Sequence, residues 1–254
     1  MRSTPFLFLV GLLGFLACQE ESIPPPETAV GTDYYPLEIG DSWTYQVDSI
    51  ILVPEIGRTR YDTIQVLAQE SLVDTFSDQS GRLWYRGIRE ERPTAADDWV
   101  PTQTFALRVD ERGFYRSEDN LEFQLLAFPL LENQRWDGHA AFDEFRPIAV
   151  GGELLDVYAG WDYRLLEIDV PHQLITGIDF AETMLIDQAE VDNLIDFRRS
   201  YRRYAKGIGP IETFVDARHT QCRVCCNGDT GACLDLSWDV KAEKGYIIHQ
   251  LLLP

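Results

Sequence analysis

Tyr204-Ala205-Lys206-Gly207-Ile208-Gly209-Pro210-Ile211-Glu212-Thr213-Phe214-Val215-Asp216 decides the fold. Gly207-Ile208-Gly209-Pro210 is a turn signal. Beyond it Ile211, Thr213 and Val215 alternate with Glu212 and Asp216, the period of a strand with one face buried. The same period recurs outward along the chain. Ile64, Val66 and Ala68 alternate with Thr63, Gln65 and Gln69. Phe105, Leu107 and Val109 alternate with Thr104, Arg108 and Asp110. Leu166, Ile168 and Val170 alternate with Glu167 and Asp169, and Tyr246, Ile248 and Gln250 form a last short strand. Turn signals separate these runs at Asp78-Gln79-Ser80-Gly81, Asp110-Glu111-Arg112-Gly113 and Gly151-Gly152. The pattern predicts a mainly β chain built on antiparallel strands. Val191, Leu194, Ile195, Arg198 and Tyr201 also fit a helical stripe, but a strand reading, with Ile195, Phe197, Arg199, Tyr201 and Arg203 on one face, is preferred. A short helix is expected around Leu121 to Phe128.

Composition narrows the class of function. Of 254 residues, 45% are apolar and 12% aromatic, enough for a sizeable core. The formal charge of -20 excludes nucleic acid as a partner, because a polyanion needs an excess of cations. Only Lys206, Lys241 and Lys244 are lysines, and so acidic a surface stays soluble at high salt.

The N-terminus carries an address. Met1-Arg2 precedes an apolar run from Phe6 to Ala17, too short to span a bilayer and of the length of a secretory signal. It ends Phe15-Leu16-Ala17-Cys18, which resembles the lipobox of bacterial lipoproteins, with Phe15 in place of the usual aliphatic residue. The resemblance implies cleavage after residue 17, acylation of Cys18, and location in the cell envelope at the outer membrane. Several acyl chains on one residue anchor firmly, at about 0.8 kcal/mol per buried methylene. Gln19-Glu20-Glu21 resembles the acidic tags of surface-directed Bacteroidetes lipoproteins and reads equally as a solvated linker. Ser22-Ile23-Pro24-Pro25-Pro26-Glu27-Thr28 favours an extended tether. The expected organisation is a signal peptide at 1–17, a lipidated tether at 18–33 and one β domain at 34–254, with a Cys-rich loop at 219–234.

Tyr34-Tyr35-Pro36-Leu37-Glu38-Ile39-Gly40-Asp41-Ser42-Trp43-Thr44-Tyr45 is similar to the entrance of Bacteroidetes lipoproteins of unknown function. Tyr204 to Glu212 resembles the hairpin near their ends. That resemblance implies a strongly curved antiparallel sheet, a half-barrel or barrel-like fold similar to the LolA/LolB-like lipoprotein carriers. Such a sheet has a concave face suited to an apolar small molecule, with an envelope protein as the other partner considered. Pro36-Leu37 precedes Trp43 as Pro129-Leu130 precedes Trp136, which suggests either two related halves or chance.

Four cysteines, Cys222, Cys225, Cys226 and Cys233, lie in a Gly/Asn/Asp-rich loop poor in apolar residues. In an exported chain they read as two disulfides. A bridge between adjacent Cys225 and Cys226 strains the intervening peptide, which leaves 222–225 with 226–233, or 222–226 with 225–233. The rival is a zinc site drawn from these four thiols and His219. Arg198, Arg199, Arg202 and Arg203, with Lys206, form one basic cluster, read either as an anion site or as a solvated, ion-paired strand face. His139, His172, His219 and His249 have no motif-spaced nucleophile or carboxylate, and read as surface or loop residues. Hydrolase, phosphate-loop and dinucleotide signatures are missing, so a non-catalytic protein without a cofactor is expected, with a structural role in a surface assembly or an unrecognised hydrolase as alternatives.

Overall fold

Every alternating segment named above is a strand in the computed structural model, which describes residues 31–254. The signal peptide, Cys18 and the proline-rich stretch fall outside the described residues. The strands are β1 (Ser42–Glu55), β2 (Arg58–Ser77), β3 (Leu83–Arg92), β4 (Val100–Asp110), β5 (Gly113–Glu118), β6 (Leu121–Ala127), β7 (Arg135–Trp136), β8 (Ile148–Val150), β9 (Glu153–Leu155), β10 (Tyr163–Gln173), β11 (Asp179–Asp192), β12 (Asp196–Ala205), β13 (Gly209–His219) and β14 (Lys244–Leu252). Three one-turn helices, α1 (Arg223–Cys226), α2 (Thr230–Cys233) and α3 (Trp238–Lys241), sit between β13 and β14.

Twelve strands form one antiparallel sheet in the order β6-β5-β4-β3-β2-β1-β14-β13-β12-β11-β10-β7, and it is nearly closed into a barrel. Most neighbours are consecutive hairpins, and β14 returns to pair with β1. The two end strands approach one another. Gln124 N donates to Gly138 O at 2.9 Å, and Trp136 Nε1 donates to Gln124 O at 2.9 Å. β8 and β9 form a separate hairpin. Closure of this kind leaves few unpaired strand edges.

The β12–β13 hairpin forms as its turn signal requires. Gly207 and Gly209 take φ of 74° and 109°, where a side chain is strained, and a β-carbon on Gly209 would lie 3.2 Å from the Tyr35 ring. The ambiguous 191–201 stretch is the β11–β12 hairpin. The helix expected near Leu121 is instead β6. Leu121, Phe123 and Leu125 are buried on one face, and the segment pairs with β5. The alternation in β10 also shifts. Tyr163 and Leu165 are buried, then register breaks carry Asp169 into the left-handed region at φ 54°, so Leu166 and Ile168 are only partly buried. Trp43 lies in central β1 and Trp136 in terminal β7, unlike places in the sheet.

Residues facing one another across antiparallel strands share a face, so the register lays out the inner wall. One layer runs Thr213, Gln250, Val47, Val66 and another Val215, Ile248, Ser49, Ile64. Two aromatic groups fill the space at either side. Tyr35 stacks on Phe114 at 4.2 Å and meets Trp43 and Tyr204 edge-on or tilted. From the 137–162 segment, His139, Phe142, Tyr158 and Trp161 pack with Phe123 and Tyr163. A fully buried Phe such as Phe114 contributes roughly 1.5–3 kcal/mol.

His139 corrects the surface reading of the histidines. It is 3% exposed and ringed by five aromatic side chains. Burial holds its pKa down at about 4 against an ordinary 6.5, with weak opposition from Asp137 and Glu144. An unfolded chain therefore takes up this proton first. Stability falls as pH drops from 6.5 towards 4, and the contribution then levels off. At 1.36 kcal/mol per pH unit the loss reaches about 3 kcal/mol. Half-buried His172, also shifted down by burial, adds a smaller slope of the same sign. In urea melts at stepped pH, His139→Phe is expected to show a much flatter pH dependence between 6.5 and 4.5.

Candidate functional site

Between the two aromatic groups the barrel is not filled. A cavity of about 440 Å³ is lined by Val47, Ile64, Val66, Val215 and Ile248 on its apolar side. A narrower recess of about 160 Å³ shares Arg116, Glu118, Arg202, Val215 and Ile248 with it and ends on Phe123, Tyr158 and Trp161. The two adjoin through these shared residues, and the larger, which opens to solvent beside Ile64, is of the size that holds a small molecule.

The adjoining wall is polar and ion-paired. Glu70 on β2 is 3% exposed and lies across from Arg89 on β3. Arg116 grips it with two parallel bonds, Nη1 to Oε2 at 2.8 Å and Nη2 to Oε1 at 2.9 Å. Arg89 Nη1 adds a third to Glu70 Oε1 at 3.1 Å and also donates to Gln250 Oε1 at 2.9 Å. Glu91 and Glu118 accept from the Nε atoms of Arg89 and Arg116 at 2.8 and 2.7 Å. Burial disfavours the Glu70 charge, but the two guanidiniums outweigh it and hold the carboxyl down at about 2. Bidentate, charge-assisted contacts of this kind fix a side chain's geometry firmly.

The four arginines of the basic cluster do not act together. They lie on β12, where successive side chains point to opposite faces. Arg198 and Arg202 face inward, and Arg199 and Arg203 outward. Arg198 is 2% exposed and consumed by structure: it donates to the carbonyls of Val157, Phe197, Arg218 and Asp156 and to Asp196. Arg203 pairs with Glu167 at 2.8 Å, Arg199 is exposed, and Lys206 reaches Asp33, Asp169 and Glu182. Arg202 lines both parts of the cavity. Among the described residues it has no ion pair, and its Nε is buried without a partner.

The cysteines also depart from expectation. Cys222 bridges Cys233, with their α-carbons 5.9 Å apart, so neither expected pairing occurs. Cys225 and Cys226 are free thiols on α1, and their sulfurs lie 2.8 Å apart. One turn of helix points both towards the bridge, with Cys225 Sγ 3.7 Å from Cys233 Sγ. Burial and the adjacent Cys226 push the Cys225 thiol up to about 11. The sulfurs of Cys225, Cys226 and Cys233 come within 4.8 Å of one another, but His219 is not with them: its Nδ1 meets Asp196 at 2.9 Å. The expected four-ligand zinc set is therefore not assembled, since Cys222 and Cys233 are joined to each other. A carboxylate does the ordering that a second bridge was expected to do. Glu243 accepts from the backbone N–H groups of Gln221, Arg223 and Val224 at 2.9, 2.5 and 2.8 Å.

Three of the four histidines meet carboxylates that sequence spacing did not reveal. Besides His219, both His249 and His172 approach Glu212, at 2.8 and 3.7 Å, and Tyr201 donates to it at 3.0 Å. Glu212 and His249 alternate with inward-facing Thr213 and Ile248, so this group sits on the outer face of the sheet, away from the cavity. No family model, curated protein or solved structure matches the chain.

Proposed function

We propose that this chain is a non-catalytic, membrane-anchored lipoprotein of the cell envelope whose barrel binds an apolar small molecule. The interior cavity carries the reading: apolar groups of β1, β2, β13 and β14 line one side of it, beside a rigid ion-paired wall. Apolar walls supply affinity by losing water, and a few fixed polar groups orient the guest. The envelope address rests on Phe15-Leu16-Ala17-Cys18, and the strongly negative net charge of -20 disfavours any polyanion as guest.

The neutral dye N-phenyl-1-naphthylamine tests the cavity without asking about headgroups. Titration into the purified chain is expected to give a saturable, one-site rise in fluorescence, and Val215→Trp, which fills the cavity, removes it. Fluorescence that stays flat, or an unsaturable rise equal in both proteins, would overturn the reading.

A further inference from the structure

The inner wall holds three arginines and three carboxylates, and two of the arginines use all three carboxylates. Arg89 takes Glu70 and Glu91, and Arg116 takes Glu70 and Glu118. Arg202 is left over. Four other arginines also bury an unpartnered Nε, yet each spends its remaining nitrogens elsewhere. Arg108, Arg164 and Arg203 pair with Asp110, Asp187 and Glu167, and Arg92 donates to the carbonyls of Ala95 and Asp97. Arg202 alone of the five has no ion pair among the described residues, its polar neighbour being the Tyr204 phenol, and it is the one that lines the cavity. Arg202 is partly buried with its Nε closed off from solvent, and a cation held there without an ion pair is costly, so the wall is complete when an anion sits against it.

Two further groups nearby lack partners. Tyr204, two residues along the same strand face, is fully buried against Arg202 with no acceptor for its hydroxyl proton, and Tyr35, whose ring lies 5.9 Å from that of Tyr204, is buried with its hydroxyl unsatisfied. Burial pushes both phenols above their ordinary range, so they stay protonated as donors. Native interiors leave few such groups unsatisfied; these two lie in the packed core behind Arg202 and do not themselves line the cavity. The charged and titratable groups around Arg202 include Tyr204, Arg116, Tyr163, Glu118, Tyr35 and Tyr45.

We infer that the guest of this cavity is an amphipathic monocarboxylic acid, with its carboxylate on Arg202 and its apolar part along Val47, Val66, Val215 and Ile248. One planar guanidinium matches one carboxylate, two oxygens against two N–H groups. A dianionic phosphate fits worse: a single free cation faces it, and Glu118 and Glu91 on the same wall repel the second charge. This deepens the cavity proposal and rests on it.

The experiment compares decanoate with 1-decanol, which share a chain and differ in the headgroup charge. Each displaces N-phenyl-1-naphthylamine from the purified chain at pH 8. Decanoate is expected to bind about tenfold or more tightly than decanol, as a charge-assisted contact contributes. Arg202→Gln should bring decanoate down to the decanol value and leave decanol unchanged. Dye binding with equal displacement by both ligands overturns the carboxylate inference alone, and needs no variant to be folded. Decanoate preference that survives in Arg202→Gln also overturns it. Failure of the dye itself to bind removes the cavity reading first and this inference with it.

Discussion

Glu70→Ala is expected to lower the stability of the chain by about 3–5 kcal/mol, the cost of removing one partner from a buried ion pair. The carboxylate accepts three bonds, two from Arg116 and one from Arg89, and Arg116 stays buried and Arg89 partly buried when it goes. Arg116 keeps Glu118 and Arg89 keeps Glu91, so the loss stays below that of two orphaned charges. Urea melts at neutral pH measure it. The Glu70→Ala/Arg116→Ala double variant should cost clearly less than the two single losses added, because the second change removes a charge the first one stranded. Strict additivity would show that the pair contributes nothing beyond its separate groups. Acid has a related effect. With a folded pKa of about 2 against an ordinary 4.5, the Glu70 contribution is present above pH 4.5 and is lost as pH falls towards 2.

Phe105→Ala should be comparably severe, at about 3–5 kcal/mol. The ring is 2% exposed, is capped by the Arg116 guanidinium 4.1 Å from its centroid, and lies over Gly87 on the neighbouring strand. A β-carbon on Gly87 would fall 2.1 Å from the ring, so the glycine exists to let the ring lie down. Deleting the ring opens a void beneath the Glu70–Arg116 pair and removes the surface that holds Arg116 flat. Thermal melting should drop by about 10 °C, given 2–4 °C per kcal/mol in a chain of this size. Gly87→Ala reaches the same contact by overpacking and should cost about 1–3 kcal/mol. A Phe105→Ala melt within a degree or two of the parent would contradict this packing.

Much of the barrel is written in local sequence. The β12–β13 hairpin needs only two glycines at left-handed positions and an alternating strand on each side, and both are visible in the chain. Curvature and closure depend on contacts between β6 and the 135–138 segment, which no local pattern encodes. Leu121 to Phe128 looks helical because its apolar residues are nearly continuous, and a strand buried by neighbours on both sides has the same appearance. The site was less legible than the fold. Strand period alone separates Arg198 and Arg202 from Arg199 and Arg203, but their partners are remote: Arg198 ends on carbonyls 41 and 42 residues away. The Glu70–Arg116 contact spans 46 residues. An apolar inner face reads identically whether the barrel is packed or hollow, so Ile64 and Val66 announced a strand and not a cavity. Vicinal cysteines were set aside as partners for one another. The chain meets that constraint by leaving both reduced, which frees Cys222 to pair across α1 and α2 with Cys233.

Methyl NMR tests the interior site most directly. With Val, Ile and Leu methyls labelled, decanoate is added to the purified chain and shifts are followed to saturation. Val47, Val66, Val215 and Ile248 should move together along one binding curve, while exposed Ile56 and Leu131 stay still. Shifts confined to surface methyls, or none at all up to ligand solubility, would contradict an interior ligand site.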